Sequence, residues 1–142
     1  MKRVNIQEVQ PEAYKAMFAL ESYIAKSTIE KNLQELVRLR ASLINGCQFC
    51  TSMHSEAAAK LGESQERIAA VSNWKASKLF TNKERAALAA SDDITNISAS
   101  GLKDETYKII GEFFSEEEIA QLIMLCTLIN AWNRMGISMA GK

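Results

Sequence analysis

The sequence predicts an all-α protein, a bundle of helices, on three observations. Proline occurs once and glycine six times in 142 residues, too few for a loop-rich or all-β chain. Apolar residues recur at helical spacing between recognisable start and stop residues. No segment sustains the two-residue alternation of a half-buried strand. With no linker, low-complexity stretch or internal repeat in view, one domain over residues 1–142 is expected.

Pro11 followed by Glu12 opens a first helix. The missing proline N–H is an orphan in a first turn anyway, and a carboxylate there meets the positive end of the helix dipole. Tyr14, Phe18 and Ile24 give its apolar spacing. Thr28 is the expected start of a second helix, whose buried stripe is Leu33, Leu36, Val37, Leu39, Leu43 and Ile44. Asn45-Gly46 stops it, since both residues tolerate the left-handed conformation. A third helix runs from about Cys47 to Leu61 and ends at Gly62. Ser64 caps a short fourth helix containing Ile68, Val71 and Trp74.

Thr81-Asn82-Lys83-Glu84 is a capping box for a helix from Arg85 to about Ala90, with Asp92, Asp93, Asn96 and Ser98 reading as its end and the turn beyond. Leu102 to Phe114 forms another helix. Ser115-Glu116-Glu117-Glu118 is a second capping box, opening a long helix through Leu122, Ile123, Leu125, Cys126, Leu128, Ile129 and Trp132. That helix is apolar on more than one face and needs cover on several sides, so a non-monomeric state is expected.

Lysine plus arginine and aspartate plus glutamate each total 17, a formal net charge of zero. Such a chain has no long-range field to draw in nucleic acid. No apolar run approaches the length of a transmembrane helix, so no membrane role is expected. The start, MKRVNIQEVQ, lacks an apolar segment after its charges, so no signal peptide is expected and a cytoplasmic location is the simplest expectation. In that compartment three cysteines read as reactive, metal-binding or buried residues rather than a disulfide framework.

The stretch that carries chemistry is Glu35 to His54. A Cys47-Gln48-Phe49-Cys50 run at a helix start places two sulfurs near unpaired backbone N–H groups and the positive end of the dipole, which favours the nucleophilic thiolate. Three residues apart, the two side chains are neighbours and able to close a disulfide. His54, the one histidine, falls with both cysteines in a sector of about 60° on the helix. Its imidazole is suited to take or return a thiol proton near neutral pH. Glu35 is a carboxylate on an otherwise apolar stripe; facing inward, it would be a plausible base.

Plainer readings of these residues stand beside that one. The cysteines would serve as buried packing, or with His54 as three ligands of a zinc site short of a fourth. Glu35 would serve as a solvated partner of Arg38. Cys126 on its apolar helix reads as core, and Met17, Met53, Met124, Met135 and Met139 as core or interface filler. Trp132, with Asn130, Asn133 and Arg134, reads as structural.

Glu35, eleven residues, Cys47-x-x-Cys50, three residues and His54 resemble the signature of the alkylhydroperoxidase D-like (AhpD-like) proteins of the carboxymuconolactone decarboxylase superfamily. The likeness extends through Arg38-Leu39-Arg40-Ala41-Ser42, Asn45-Gly46-Cys47, Met53-His54, the Trp74 segment, Phe80-Thr81, Glu84-Arg85-Ala86-Ala87-Leu88 and Asn130-Ala131-Trp132-Asn133-Arg134, from about residue 30 to about residue 137.

The resemblance implies an AhpD-like helical bundle assembled as a homotrimer or homohexamer, and a thiol-dependent peroxidase or disulfide reductase needing no cofactor or metal. Glu35, Cys47, Cys50 and His54 would be its catalytic residues, with Glu35 and His54 as a proton relay. Cys50 would attack the hydroperoxide and Cys47 would resolve it. By its place at the helix tip Cys47 is also expected to be the more exposed thiol and to exchange with a dithiol reductant, a lipoyl-bearing or thioredoxin-like donor protein. The chain departs from some members in holding Gln48 and Phe49, with no second histidine, between the cysteines, which bears on peroxidase efficiency. A lyase of the decarboxylase branch and a non-catalytic redox-sensing oligomer are the alternatives.

Overall fold

The buried stripe of the second expected helix is the axis on which the molecule is built. In the computed structural model, which describes residues 1–141, every regular element is helical. They are α1 (Ile6–Val9), α2 (Pro11–Ala25), α3 (Lys31–Asn45), α4 (Gln48–Lys60), α5 (Gln65–Ala70), a 3₁₀ segment (Val71–Ala76), α6 (Asn82–Thr95), α7 (Ile97–Ser100), α8 (Asp104–Phe113) and α9 (Glu116–Ala140). Helix α3 packs against α4, α6 and α9 and serves two clusters. Leu33 and Val37 face α6, α8 and α9 through Ala86, Ala90, Ile110, Leu122 and Leu125. Leu36 and Leu39 pack with Val71, Trp74, Phe80 and Leu88.

The two capping boxes, Thr81 with Glu84 and Ser115 with Glu118, close reciprocally as the local chemistry requires. Pro11 opens α2. The Asn45-Gly46 stop is a Schellman motif. Gly46 is left-handed, at φ 71°; its N–H donates to Leu43 O at 3.3 Å, and that of Cys47 to Ser42 O at 3.1 Å.

Three boundaries differ from expectation where polar side chains are bonded to other elements. Thr28 does not start α3, which begins at Lys31 with no side-chain cap. The Thr28 hydroxyl donates instead to Gln121 on α9 at 3.1 Å, and its N–H to the same oxygen at 3.2 Å. Helix α6 continues past Ala90 to Thr95. Of the residues read as its end, Asp92 accepts from Arg40 and the Trp74 indole, while the neighbouring Ser91 donates to Val37 O and Thr95 accepts from Asn130. Asp93 accepts from Lys103 and Thr106; burial opposes its ionisation, but those bonds outweigh it and hold the carboxyl below its ordinary range.

The fourth expected helix breaks at Val71 into the 3₁₀ segment, with Asn73 off helical geometry. Arg40 there takes the Ser72 carbonyl, and Arg85 those of Trp74, Lys75 and Ser77. Helices α1 and α7, one turn each, carry no sequence signal strong enough to call. The expected helix from Leu102 begins at Asp104. None of the described helices is long and apolar enough to cross a membrane.

Candidate functional site

The Schellman turn leaves only Gly46 between α3 and Cys47, the N-cap of α4. Its Sγ accepts the N–H of Cys50 at 3.4 Å, satisfying one of the orphan donors of the helix start. Cys47 and Cys50 are joined by a disulfide, their Cα atoms 5.3 Å apart. Farther along, the buried side of α4 is formed by Cys50, His54 and Ala58, the i, i+4, i+8 stripe that faces α3 and α9.

On α3, Glu35 turns toward this stripe. Its Oε2 lies 2.7 Å from His54 Nδ1. Its other oxygen, Oε1, accepts from Arg38 at 3.3 Å. The plain reading of Glu35 as a partner of Arg38 and the reading of Glu35 as a partner of the imidazole therefore hold together, one oxygen each. Of the four residues singled out by spacing, the structure brings Cys47 to Cys50 by a covalent bond and Glu35 to His54 by a hydrogen bond. It shows no hydrogen bond between the ring and either sulfur among the described residues. Among the described residues His54 Nε2 has no protein partner, yet no side-chain nitrogen or oxygen sealed from solvent lacks one there. Nε2 thus touches solvent from a residue that is only 6% exposed.

The expectation that Cys47 is the more exposed thiol is corrected: both cysteines are 4% exposed. The cover comes from α9. A Cβ placed on Gly136 would sit 3.6 Å from Cys47 Sγ and 3.9 Å from Cys50 Sγ, so bare helix backbone lies over the disulfide. The N-terminal segment pins that end of α9, with Arg3 donating to Ser138 O at 2.9 Å and the Ile6 N–H meeting Met139 Sδ at 3.3 Å. Phe49, between the cysteines in sequence, points out and is 75% exposed. Beside it an open cleft of about 400 Å³ is lined by Leu43, Gly46, Gln48, Thr51 and Ser52.

Cys126 lies outside the site, fully buried and free; burial pushes its thiol up to about 12. Trp132 is structural, edge-on to Tyr14 with ring centres 5.4 Å apart. Asn133 is sealed in the core, donating to Ser42 at 3.0 Å while its oxygen accepts from Asn45 at 2.9 Å.

Two neighbours of the site were not found by motif. Gly136 carried a signal: a glycine inside a long helix costs about 1 kcal/mol against alanine and persists where something lies close. Glu21, which holds the far side of Arg38 at 2.9 Å, carried none.

Gly136→Ala is expected to fit, since 3.6 Å is ordinary contact, and to raise stability by up to about 1 kcal/mol through the lower entropy of the unfolded chain. Gly136→Leu carries its bulk onto the sulfurs. It is expected to change the rate at which dithiothreitol reduces the disulfide by about tenfold or more, while Gly136→Ala changes it little. Equal reduction rates in wild type and Gly136→Leu would mean that α9 does not control access to the sulfurs.

The sequence matches the carboxymuconolactone decarboxylase family over residues 11–93. It is 36% identical over 141 residues to an uncharacterised protein, YdfG, of Bacillus subtilis, covering 99% of this chain and 96% of that one. Among solved structures, an Agrobacterium tumefaciens protein of unknown function, suggested to be the antioxidant defence protein AhpD, superposes with a TM-score of 0.95 at 37% identity, over 100% of this chain and 97% of that one. The debrominase Bmp8 shares the fold, with a TM-score of 0.85 at 23% identity over 96% of this chain and 73% of its own.

Proposed function

The chain belongs to the carboxymuconolactone decarboxylase family in its AhpD-like form, and from that premise we propose that it is a thiol-dependent peroxidase that cycles Cys47 and Cys50 between dithiol and disulfide. The observation that carries the reading is a disulfide at the start of α4 on the same helix stripe as an imidazole clamped by a carboxylate. A buried pair of packing cysteines would not call for that neighbour.

The reaction runs from the reduced state. With Glu35 ionised, Nδ1 of His54 carries the hydrogen and Nε2 presents its lone pair. Nε2 takes the proton of Cys50 directly or through one water. The Cys50 thiolate attacks one peroxide oxygen, the O–O bond breaks, and the leaving alkoxide takes its proton from the imidazolium as an alcohol. Cys50 is then a sulfenic acid. Cys47, whose sulfur already receives the Cys50 N–H at the helix start, attacks that sulfur as thiolate. The S–S bond forms and hydroxide leaves as water. One hydroperoxide and two thiols become one alcohol, one water and one disulfide.

A dithiol donor, lipoyl-bearing or thioredoxin-like, restores the pair by exchange. The exposed Phe49 and the cleft beside it support an approach from that side. The same proposal includes assembly as a homotrimer or homohexamer, supported by exposed apolar side chains such as Phe18 and Tyr23 on α2; a scattering mass of one chain would remove it.

The test is to mix reduced protein with hydrogen peroxide and with an organic hydroperoxide and to count thiols. Of the three cysteines, Cys126 is buried and inert, so free thiols should fall from three to one per chain. With a dithiol present, peroxide consumption should exceed one equivalent. Three thiols surviving excess peroxide would end the proposal; a loss of two with no turnover under any dithiol would favour a redox sensor instead.

A further inference from the structure

We infer that Arg38 and Glu21 are positioning residues for the Glu35–His54 pair, fixing which carboxylate oxygen meets the imidazole and how much negative charge the ring faces. The inference rests on the reading of that pair as the proton relay of the site.

The observation is a continuous hydrogen-bonded run of alternating charge across three helices, closed by a neutral indole from a fourth. His54 on α4 meets Glu35 Oε2 at 2.7 Å. Arg38, one turn along α3 from Glu35, donates from one guanidinium nitrogen to Glu35 Oε1 at 3.3 Å and from another to Glu21 Oε2 on α2 at 2.9 Å. Trp132 on α9 donates its indole N–H to Glu21 Oε1 at 2.9 Å. Each oxygen of both carboxylates has one donor. The side chains are 7% exposed at His54, 12% at Glu35 and Arg38, and 27% at Glu21, so solvent screens the inner members little.

This arrangement does two things. The planar guanidinium fork suits two carboxylates at once and leaves each little freedom to rotate. Holding Oε1 of Glu35 turns Oε2 toward Nδ1, which sets the tautomer. The fork also divides its positive charge. A bare carboxylate against the imidazole would favour the protonated ring, and a ring that stays protonated is no base. Arg38 offsets that pull, and Glu21 draws part of Arg38 away again. The charged or titratable groups around the ring are thus Glu35 and Arg38 from α3, Glu21 from α2 and the two sulfurs of α4; α9 adds the neutral indole of Trp132.

Opposite signs follow for the two variants, which a purely structural role would not produce. His54 is the one histidine, so its ring resonances are read by NMR without ambiguity, in the oxidised protein where neither sulfur titrates. Arg38→Met should raise the midpoint of the His54 titration by about one pH unit, as loss of a neighbouring positive charge does. Glu21→Gln should lower it, because Arg38 then serves Glu35 alone. In the reduced protein, Arg38→Met should slow thiol oxidation by hydrogen peroxide about tenfold near neutral pH, and Arg38→Lys, with charge but no fork, should recover only part of that. An unmoved His54 midpoint in Glu21→Gln, or a shift of the same sign in both variants, overturns the inference. If Arg38→Met does not fold, Glu21→Gln, at a partly exposed site, decides alone. Should wild type fail to consume peroxide, the titration still reads the inference apart from the proposed activity.

Discussion

Cys50→Ser should abolish hydroperoxide turnover, whereas Cys47→Ser should complete one oxidation and stop. The two cysteines are equally buried, each 4% exposed, but do not share a chemical position. Cys50 lies one helical turn from His54 on the same face, so its proton has an acceptor within reach. Cys47 is the N-cap, its sulfur bonded to the Cys50 N–H. Kept in the reduced protein, that contact would stabilise a Cys47 thiolate and suit it to attack a sulfur already oxidised. A serine hydroxyl at position 50 forms no sulfenic acid, so the first step is lost. With serine at 47 the sulfenic acid at Cys50 forms and persists, because nothing resolves it.

Stability does not confuse the comparison. Both variants lose the same cross-link, worth about 2 kcal/mol for so short a loop, and each is compared with reduced wild type. Multiple-turnover peroxide consumption, with mass spectrometry after trapping by a sulfenic-specific carbon acid, reads both steps. Turnover surviving in Cys50→Ser but lost in Cys47→Ser would reverse the assignment. Survival in both would move the chemistry away from the pair.

How far the sequence reached follows from the range of each interaction. The capping boxes at Thr81 and Ser115, the proline start of α2 and the glycine stop before Cys47 each lie within a few residues, and each was legible. So was the shared face of Cys50 and His54, because a helix repeats every 3.6 residues wherever it sits; Cys47, expected on the same helix, is its extended N-cap. Thr28, Asp92 and Asp93 misled because each looks like a cap or a stop and is instead bonded to another element. The exposure of Cys47 misled for the same reason. A helix tip is ordinarily open, but Gly136, almost ninety residues on, brings α9 across it. Glu21 was invisible, since nothing on α2 distinguishes one glutamate from another until Arg38 and Trp132 arrive. Local rules placed the cysteines and the histidine; the groups that cover and contact them come from distant chain.

His54→Asn should slow the oxidation of Cys50 by about 10²- to 10⁴-fold near neutral pH, the usual worth of a positioned base. Glu35→Gln should fall in the same range while leaving the imidazole in place. As a carboxylate, Glu35 can only accept at Nδ1, 2.7 Å away, and so would keep the hydrogen there and the lone pair at Nε2. A glutamine amide turned to donate reverses the tautomer, puts the hydrogen on Nε2, and leaves a ring that takes no proton from a thiol. The two losses come from one unit, so His54→Asn with Glu35→Gln should cost no more than His54→Asn alone. The defect should also shrink as pH rises past about 8.5, where a thiol ionises without help. Stopped-flow thiol oxidation across that pH range checks all three. Losses that multiply in the double variant, or a defect equally large at high pH, would mean that the carboxylate and the imidazole hold the fold around the sulfurs rather than move the proton between them.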